Sequence, residues 1–231
     1  MNILLTGASR GLGLAIAAEA LERGHGVIAG VRDVSGDKLA TLSATYGDRL
    51  IIAELDVASE ESVAGLASAL KREGRTLGAI VNNAAILNAR NTQIEELDMN
   101  DVAQAFEVNL YGPMRVVKHF LPLLTESNGA LLNISSEAGS ITNAYPGDYP
   151  YSISKTALNM FSQQLHRYVN KRRIQVLSIH PGWMKTDMGG ENAPTDPRAS
   201  ARGIVDLLER RIVPEALGFQ FVDYTGKEMP I

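Results

Sequence analysis

Short β-like runs alternate with longer amphipathic segments along the whole chain, and a parallel sheet joined by helical crossovers is the fold that such a rhythm specifies. About seven strands are predicted, at residues 2–6, 26–31, 50–55, 79–82, 130–134, 175–180 and 219–222. Most are near-continuous apolar runs, as expected of strands buried on both faces. Helix-like stretches fall between them at 12–23, 60–72, 102–124, 152–170 and 199–211. The expected fold class is α/β: a single-domain, Rossmann-type, doubly wound parallel sheet with helices on both faces. No repeat, low-complexity block or linker-like run appears before residue 184, so residues 1–231 are read as one domain. Residues 184–197, rich in Gly, Asn, Asp and Pro, read as a long loop.

Composition removes several functional classes. The chain is 45% apolar and 21% charged, which is ordinary for a packed globular protein. Its net charge of −4 is scattered, giving no electrostatic reason to expect nucleic acid or an anionic membrane as a partner. Cysteine is absent, which excludes disulfides, thiolate metal sites and thiol nucleophiles, and suits a reducing cytoplasm. Residues 1–5 break at Thr6 and Gly7 before reaching signal-peptide length, and no apolar run is long enough to span a membrane. A cytoplasmic location is expected. His25, His119, His166 and His180 lack the spacing that brings two ligands to one metal, so no metal site is expected.

The first strand runs into Thr6-Gly7-Ala8-Ser9-Arg10-Gly11-Leu12-Gly13 and then a helix. Gly7 permits a tight turn, while Gly11 and Gly13 let the backbone and helix N-terminus approach a dinucleotide pyrophosphate. The bland alternative is an ordinary glycine turn before a helix. The same segment contains a formal G-x-S-x-G nucleophile elbow with Ser9 as the nucleophile of a serine hydrolase. Nothing precedes the first strand to supply the second oxyanion donor, and neither His166 nor His180 sits in a motif that fixes it as the base.

Tyr151 and Lys155 are four residues apart on a helical pattern and project from one face. Phenol ionises near ~10, so proton transfer at neutrality needs about 4 kcal/mol of help from nearby positive charge. Lys155 and an oxidised nicotinamide are the candidate sources. Taken alone, a Y-x-x-x-K pair is usually a solvated helix face.

Its company is more specific. Thr6 to Gly13, Asn82-Asn83-Ala84, Asn109, Ser136, Tyr151 with Lys155, and Pro181-Gly182 occur in the order of the short-chain dehydrogenase/reductase family, which the chain resembles over nearly its whole length. The stretches 133–141, 151–161 and 177–194 resemble the C-factor and Sniffer-type carbonyl reductase subgroup. The resemblance implies an NAD(P)-dependent oxidoreductase acting on a small carbonyl or alcohol substrate. It makes Tyr151 the general acid for reduction and base for oxidation, with Ser136 orienting the substrate oxygen. Lys155 would bind the nicotinamide ribose and lower the tyrosine pKa. Asn109 would hold a water in the proton relay by interrupting regular helix hydrogen bonding. Ser135 is the less favoured serine, and Tyr149 is a rival phenol without a lysine four residues later. Two departures stand out: Asn83-Ala84-Ala85 replaces the family's Asn-Ala-Gly, and the Ser136-to-Tyr151 spacing is slightly long.

The implied cofactor set continues through Asp56 and Val57 at the adenine and through Pro181, Gly182, Met184 and Thr186 at the nicotinamide end. Val31 and Arg32 stand where NAD-preferring sites commonly place an acid, with Asp33 one residue further on. Arg10 and Arg32 suit a 2′-phosphate, so NADP(H) is favoured over NAD(H). Trp183, Met184 and Met188 give the substrate loop an apolar character, although all three are equally suited to packing. The family implies a homodimer or homotetramer, with the helices from Val102 and Ser152 as candidate interfaces. The leading rival is a nucleotide-binding regulator of the same fold with little turnover.

Overall fold

A computed structural model describes residues 1–214 and 218–231. Its seven strands are β1 (Asn2–Thr6), β2 (Gly26–Val31), β3 (Leu50–Glu54), β4 (Ala79–Asn82), β5 (Ala130–Ile134), β6 (Gln175–His180) and β7 (Phe221–Asp223). They form one parallel sheet in the order β3-β2-β1-β4-β5-β6-β7. The helices are α1 (Gly11–Glu22), α2 (Asp37–Tyr46), α3 (Glu60–Arg72), α4 (Met99–Phe106), α5 (Gly112–Phe120), α6 (Tyr149–Val169) and α7 (Pro197–Leu208).

Strand side chains alternate between two cores, which is why the strand sequences are mostly apolar on both faces. Ile3 and Leu5 of β1 face a cluster with Ile16 and Ala20 of α1 and Ile204 and Leu208 of α7. Leu4 faces the opposite cluster, with Val63 of α3, Phe120 of α5 and Leu165 of α6. The strand order reverses between β1 and β4, the point at which a crevice opens beyond the C-terminal strand ends in a doubly wound sheet.

The sequence pattern misplaced five features. The stretch 102–124 is not one helix: α4 and α5 flank a π-helical turn at Glu107–Tyr111, and a 3₁₀ turn, Leu121–Leu123, follows α5. A single apolar stripe runs through all of these segments, so periodicity alone reads them as continuous. The helix expected from residue 152 begins at Tyr149, because Pro150 occupies a first-turn position where its missing N–H is no loss. The whole of α2 went unread, since it buries only Leu39 and carries little apolar periodicity. The last strand is Phe221–Asp223 rather than 219–222, and Pro197 starts α7 rather than ending the loop.

Candidate active site

The glycine loop is stitched to the end of β4. Thr6 Oγ1 accepts from the backbone N–H groups of Asn83 and Ala84, both at 3.0 Å, and Asn83 Nδ2 donates to the carbonyls of Thr6 and Gly7, also at 3.0 Å. The fit is tight: a Cβ on Gly13 would lie 2.2 Å from the Gly7 oxygen. The α1 N-terminus receives no side-chain cap from Arg10, leaving its N–H groups free for an anion. Ser9 and Arg10 are exposed, and Thr186 of the 184–197 loop faces Gly11 across a gap of 3.7 Å to its ideal Cβ position.

Tyr151 and Lys155 lie one turn apart on α6, and Ser136 is brought to them by a short turn after β5. That turn can approach because Gly139 has no side chain: a Cβ there would lie 2.8 Å from the Lys155 carbonyl carbon. Thr156 and Asn159 fasten the turn by donating to the Gly139 carbonyl at 3.1 and 3.2 Å. Ser135 is buried, its hydroxyl donating to the Lys155 carbonyl oxygen at 3.4 Å, whereas the Ser136 hydroxyl accepts from the Ala138 N–H at 3.2 Å and is near enough to the Tyr151 phenol to favour its ionisation. Burial pushes the phenol up to about 12, and the Ser136 hydroxyl acts in the opposite direction. Burial pushes the Lys155 ammonium down to about 7. Its Nζ donates to the Ile134 carbonyl at 2.7 Å and has no other hydrogen-bond partner among the described residues, so two of its three donors are unspent.

Asn109 sits in the π-helical turn and is fully buried. Its Oδ1 accepts from the Ile86 N–H at 2.8 Å, while Nδ2 donates to the Ile86 carbonyl and the Ser154 hydroxyl, both at 3.0 Å. Ser154 donates in turn to the Tyr151 carbonyl at 2.7 Å. Asn109 is thereby tied to the Tyr151 backbone and to the loop after β4, and the side-chain amide is occupied.

Other expected site residues are placed less directly. Leu12 and Val57 have side chains in the two cores, and Met184 packs against the α1/α7 core. The Asp56 carboxylate accepts from the Ala58 N–H at 2.9 Å. Ala84 packs beneath Gly7, and Ala85 is half-buried beside it. Pro181 and Gly182 follow β6 directly, and the loop beyond closes on itself through the Lys185 N–H to the Thr195 carbonyl at 2.9 Å. Arg10 pairs with Asp187 of this loop at 3.6 Å. Arg32 is exposed at the end of β2, and the neighbouring Asp33 carboxylate accepts from the Ser35 N–H and hydroxyl at 2.9 and 2.6 Å. Neither His166 nor His180 bonds Ser9; His180 Nδ1 accepts from the Glu137 N–H at 3.0 Å. A hydrolytic triad is therefore not assembled among the described residues.

Sequence reasoning missed Thr6 as the clasp of the glycine loop, and Ser154 as the link between Asn109 and α6. It also missed the buried ladder in which Asn82 donates to Asn133 at 2.8 Å and Asn133 to Ser162 at 2.9 Å. Polar residues inside otherwise apolar strands were the available signal.

The short-chain dehydrogenase family model matches residues 1–197 of the chain. The chain belongs to the short-chain dehydrogenase/reductase family. It is 33% identical over 231 residues to 1-hydroxy-2-glutathionyl-2-methyl-3-butene dehydrogenase of Rhodococcus sp. (strain AD45), covering 97% of both chains. It is 31% identical to estradiol 17-beta-dehydrogenase 2 of Rattus norvegicus, where 99% of this chain spans 59% of the relative. C-signal of Myxococcus xanthus is 34% identical over 65% of this chain and 90% of its own. Among solved structures, carbonyl reductase Sniffer of D. melanogaster superposes with a TM-score of 0.92 at 28% identity, over 100% of this chain and 99% of that one. A Burkholderia multivorans short-chain dehydrogenase/reductase with bound NADP gives 0.90 at 33% identity, over 100% and 99%. The seven-stranded parallel sheet and the carbonyl reductase likeness thus place this short-chain dehydrogenase/reductase among the oxidoreductases. No helix among its described residues is long and apolar enough to cross a membrane.

Proposed function

We propose that the chain is an NADP(H)-dependent carbonyl reductase that also oxidises the corresponding alcohols, using Tyr151, Lys155, Ser136 and Asn109. The observation that carries this reading is the buried Lys155 ammonium, with two donors unspent, 5.5 Å from the Tyr151 ring centre, with the turn that follows Ser136 packed against Lys155 through Gly139. The cofactor fits the residues present. The uncapped α1 N-terminus suits a pyrophosphate, and the two unspent Lys155 donors suit ribose hydroxyls. Arg10 and Arg32 suit a 2′-phosphate, while Asp33 is turned into its own loop.

The bound nicotinamide supplies the hydride. In reduction, the Ser136 hydroxyl positions the carbonyl oxygen and Tyr151 passes it a proton, leaving a phenolate that the Lys155 charge stabilises. The proton is restored along Lys155 and a water held at the π-helical turn around Asn109, where regular helix bonding is interrupted. In oxidation the same groups run in reverse. Exposed Tyr111 and Met114 near or on α5, with Met160 and Tyr168 on α6, support assembly as a homodimer or homotetramer.

The test is oxidation of NADPH and NADH against a panel of aldehydes, ketones and diketones, with Tyr151→Phe beside the parent. Tyr151-dependent turnover favouring NADPH is expected. Tight cofactor binding without turnover on any compound would replace this reading with that of a regulator, and absence of binding would end both.

A further inference from the structure

We propose that Arg90 is a substrate-recognition residue, and that the preferred substrates are carbonyl compounds carrying a carboxylate, which the Arg90 guanidinium binds at the mouth of the site. The inference rests on the oxidoreductase reading above and narrows its substrate class.

Arg90 lies on the loop between β4 and α4, and that loop is tethered at each side of it. Ile86 is clamped by Asn109, Asn88 Nδ2 donates to the Asp101 carbonyl and carboxylate at 2.9 Å each, and the Asn91 N–H donates to Asp148 Oδ1 at 3.2 Å. The backbone around it is strained: Ala89 and Asn91 adopt φ of 48° and 57°, and Asp148, which fastens Asn91, adopts 47°. Non-glycine residues persist in this region only where the surroundings impose it, and such strain gathers at ligand sites. Asp148 stands at the N-cap of α6, yet its carboxylate does not cap the helix. It accepts instead from the Asn91 N–H and the Tyr145 hydroxyl. The Asp148 carboxylate is therefore spent on holding the turn that carries Arg90.

From this platform Arg90 reaches across the mouth and donates to the Met188 carbonyl of the substrate loop at 3.3 Å, its one hydrogen bond among the described residues. Its charge is felt inside. Burial raises the pKa of both Tyr151 and Tyr145, and the Arg90 charge pulls the other way at each. The Asn91–Asp148 bond sets the Arg90 turn against the N-terminus of α6, whose first turn carries Tyr151, and a guanidinium on that turn offers a planar set of donors that matches a carboxylate. Trp183, whose Nε1 donates to the Gly189 carbonyl at 2.8 Å, and Met188 give the facing loop apolar surface for the rest of such a molecule.

The experiment compares 4-carboxybenzaldehyde with its methyl ester as substrates, in the parent, Arg90→Gln and Arg90→Lys. Trp183 is the chain's one tryptophan and reports binding at the mouth, so benzoate and methyl benzoate are also titrated as quenchers with NADP+ present. The parent is expected to prefer the acid by about 10-fold or more in kcat/KM, expressed in KM, as for a charge-assisted hydrogen bond. Arg90→Gln should bring the ratio to about 1 and abolish benzoate quenching, with Arg90→Lys between the two. An acid-to-ester ratio that Arg90→Gln leaves unchanged overturns the proposal while the oxidoreductase reading stands. Arg90-dependent benzoate binding without turnover of either aldehyde keeps the anion site and removes the oxidoreductase reading. Benzoate that does not quench the parent also overturns it.

Discussion

The Lys155 ammonium lies 5.5 Å from the centre of the Tyr151 ring, while its hydrogen bond goes to the Ile134 carbonyl. The ammonium thus stands beside the Tyr151 ring, and no carboxylate among the described residues pairs with it. A side chain only 2% exposed bears a desolvation cost when charged, and burial accordingly moves its pKa from 10.5 to about 7.

That shift predicts a stability profile. Below about pH 7 Lys155 is charged in both states, and the folded state bears the cost of burying it. Between about 7 and 10.5 the unfolded chain binds more protons, so stability rises with pH. Lys155→Met should therefore stabilise the cofactor-free protein by about 2–4 kcal/mol at pH 6, with the gap closing as pH approaches 10. Urea unfolding of both proteins across this range checks it; a variant less stable than the parent at pH 6 would contradict the assignment.

The phenol predicts opposite pH behaviour for the two directions of reaction. Raised to about 12, Tyr151 stays protonated through neutrality, as a proton donor must. Carbonyl reduction, which uses the Lys155 charge to stabilise the phenolate, should fall in kcat/KM as pH rises through about 7. Alcohol oxidation needs the phenolate and should climb from about pH 6 to 9. Tyr151→Phe should lower kcat by about 10²–10⁴-fold and remove the slope, with NADPH affinity changed by less than about threefold. Initial rates in both directions decide this.

Cofactor choice should reside in two exposed cations. The Arg10–Asp187 pair is 71% and 81% exposed, so it is readily given up for a phosphate. Arg10→Ala and Arg32→Ala should each weaken NADPH binding by about 10–100-fold and NADH binding by less than about threefold. Titration of cofactor fluorescence gives both constants; equal losses for the two nucleotides would place the arginines away from the 2′ position.

Gly13→Ala should damage fold and binding together. The added methyl group meets the Gly7 oxygen at 2.2 Å and Asn83 Nδ2 at 2.6 Å, so the stitched loop must open. A loss of about 1–3 kcal/mol is expected, or roughly 3–10 °C in Tm, together with weakened NADPH binding. Gly65→Ala in α3 meets nothing within 4 Å and should be neutral or stabilising by up to about 1 kcal/mol. Calorimetry on the two variants separates a steric cause from a general intolerance of change at glycine.

What the sequence determined by itself is what local spacing encodes. Parallel strands buried on both faces leave apolar runs, so six of the seven strands were legible to within a residue at either end, as at Gly26–Val31 and Gln175–His180. The pairing of Tyr151 with Lys155 was legible because four residues make one turn of α6. The glycine loop was legible because a strand, a turn and a helix follow one another directly.

Tertiary structure decided what depends on residues far apart in the chain. The strand order sets β1 beside β4, and only then does Thr6 clasp Asn83 across 77 positions. Helix α2 buries one residue and so left no stripe to read. The π-helical turn at Asn109 is held by Ile86, whose approach from another loop no periodicity announces. Arg90 is an exposed arginine in a polar loop, and its sequence neighbours say nothing of a site. Its position is fixed by Asp148, 57 residues beyond the Asn91 amide that it holds, and by the Met188 carbonyl, 98 residues from Arg90. Hydrogen bonding between distant segments, rather than propensity within any one, sets that charge beside the 184–197 loop.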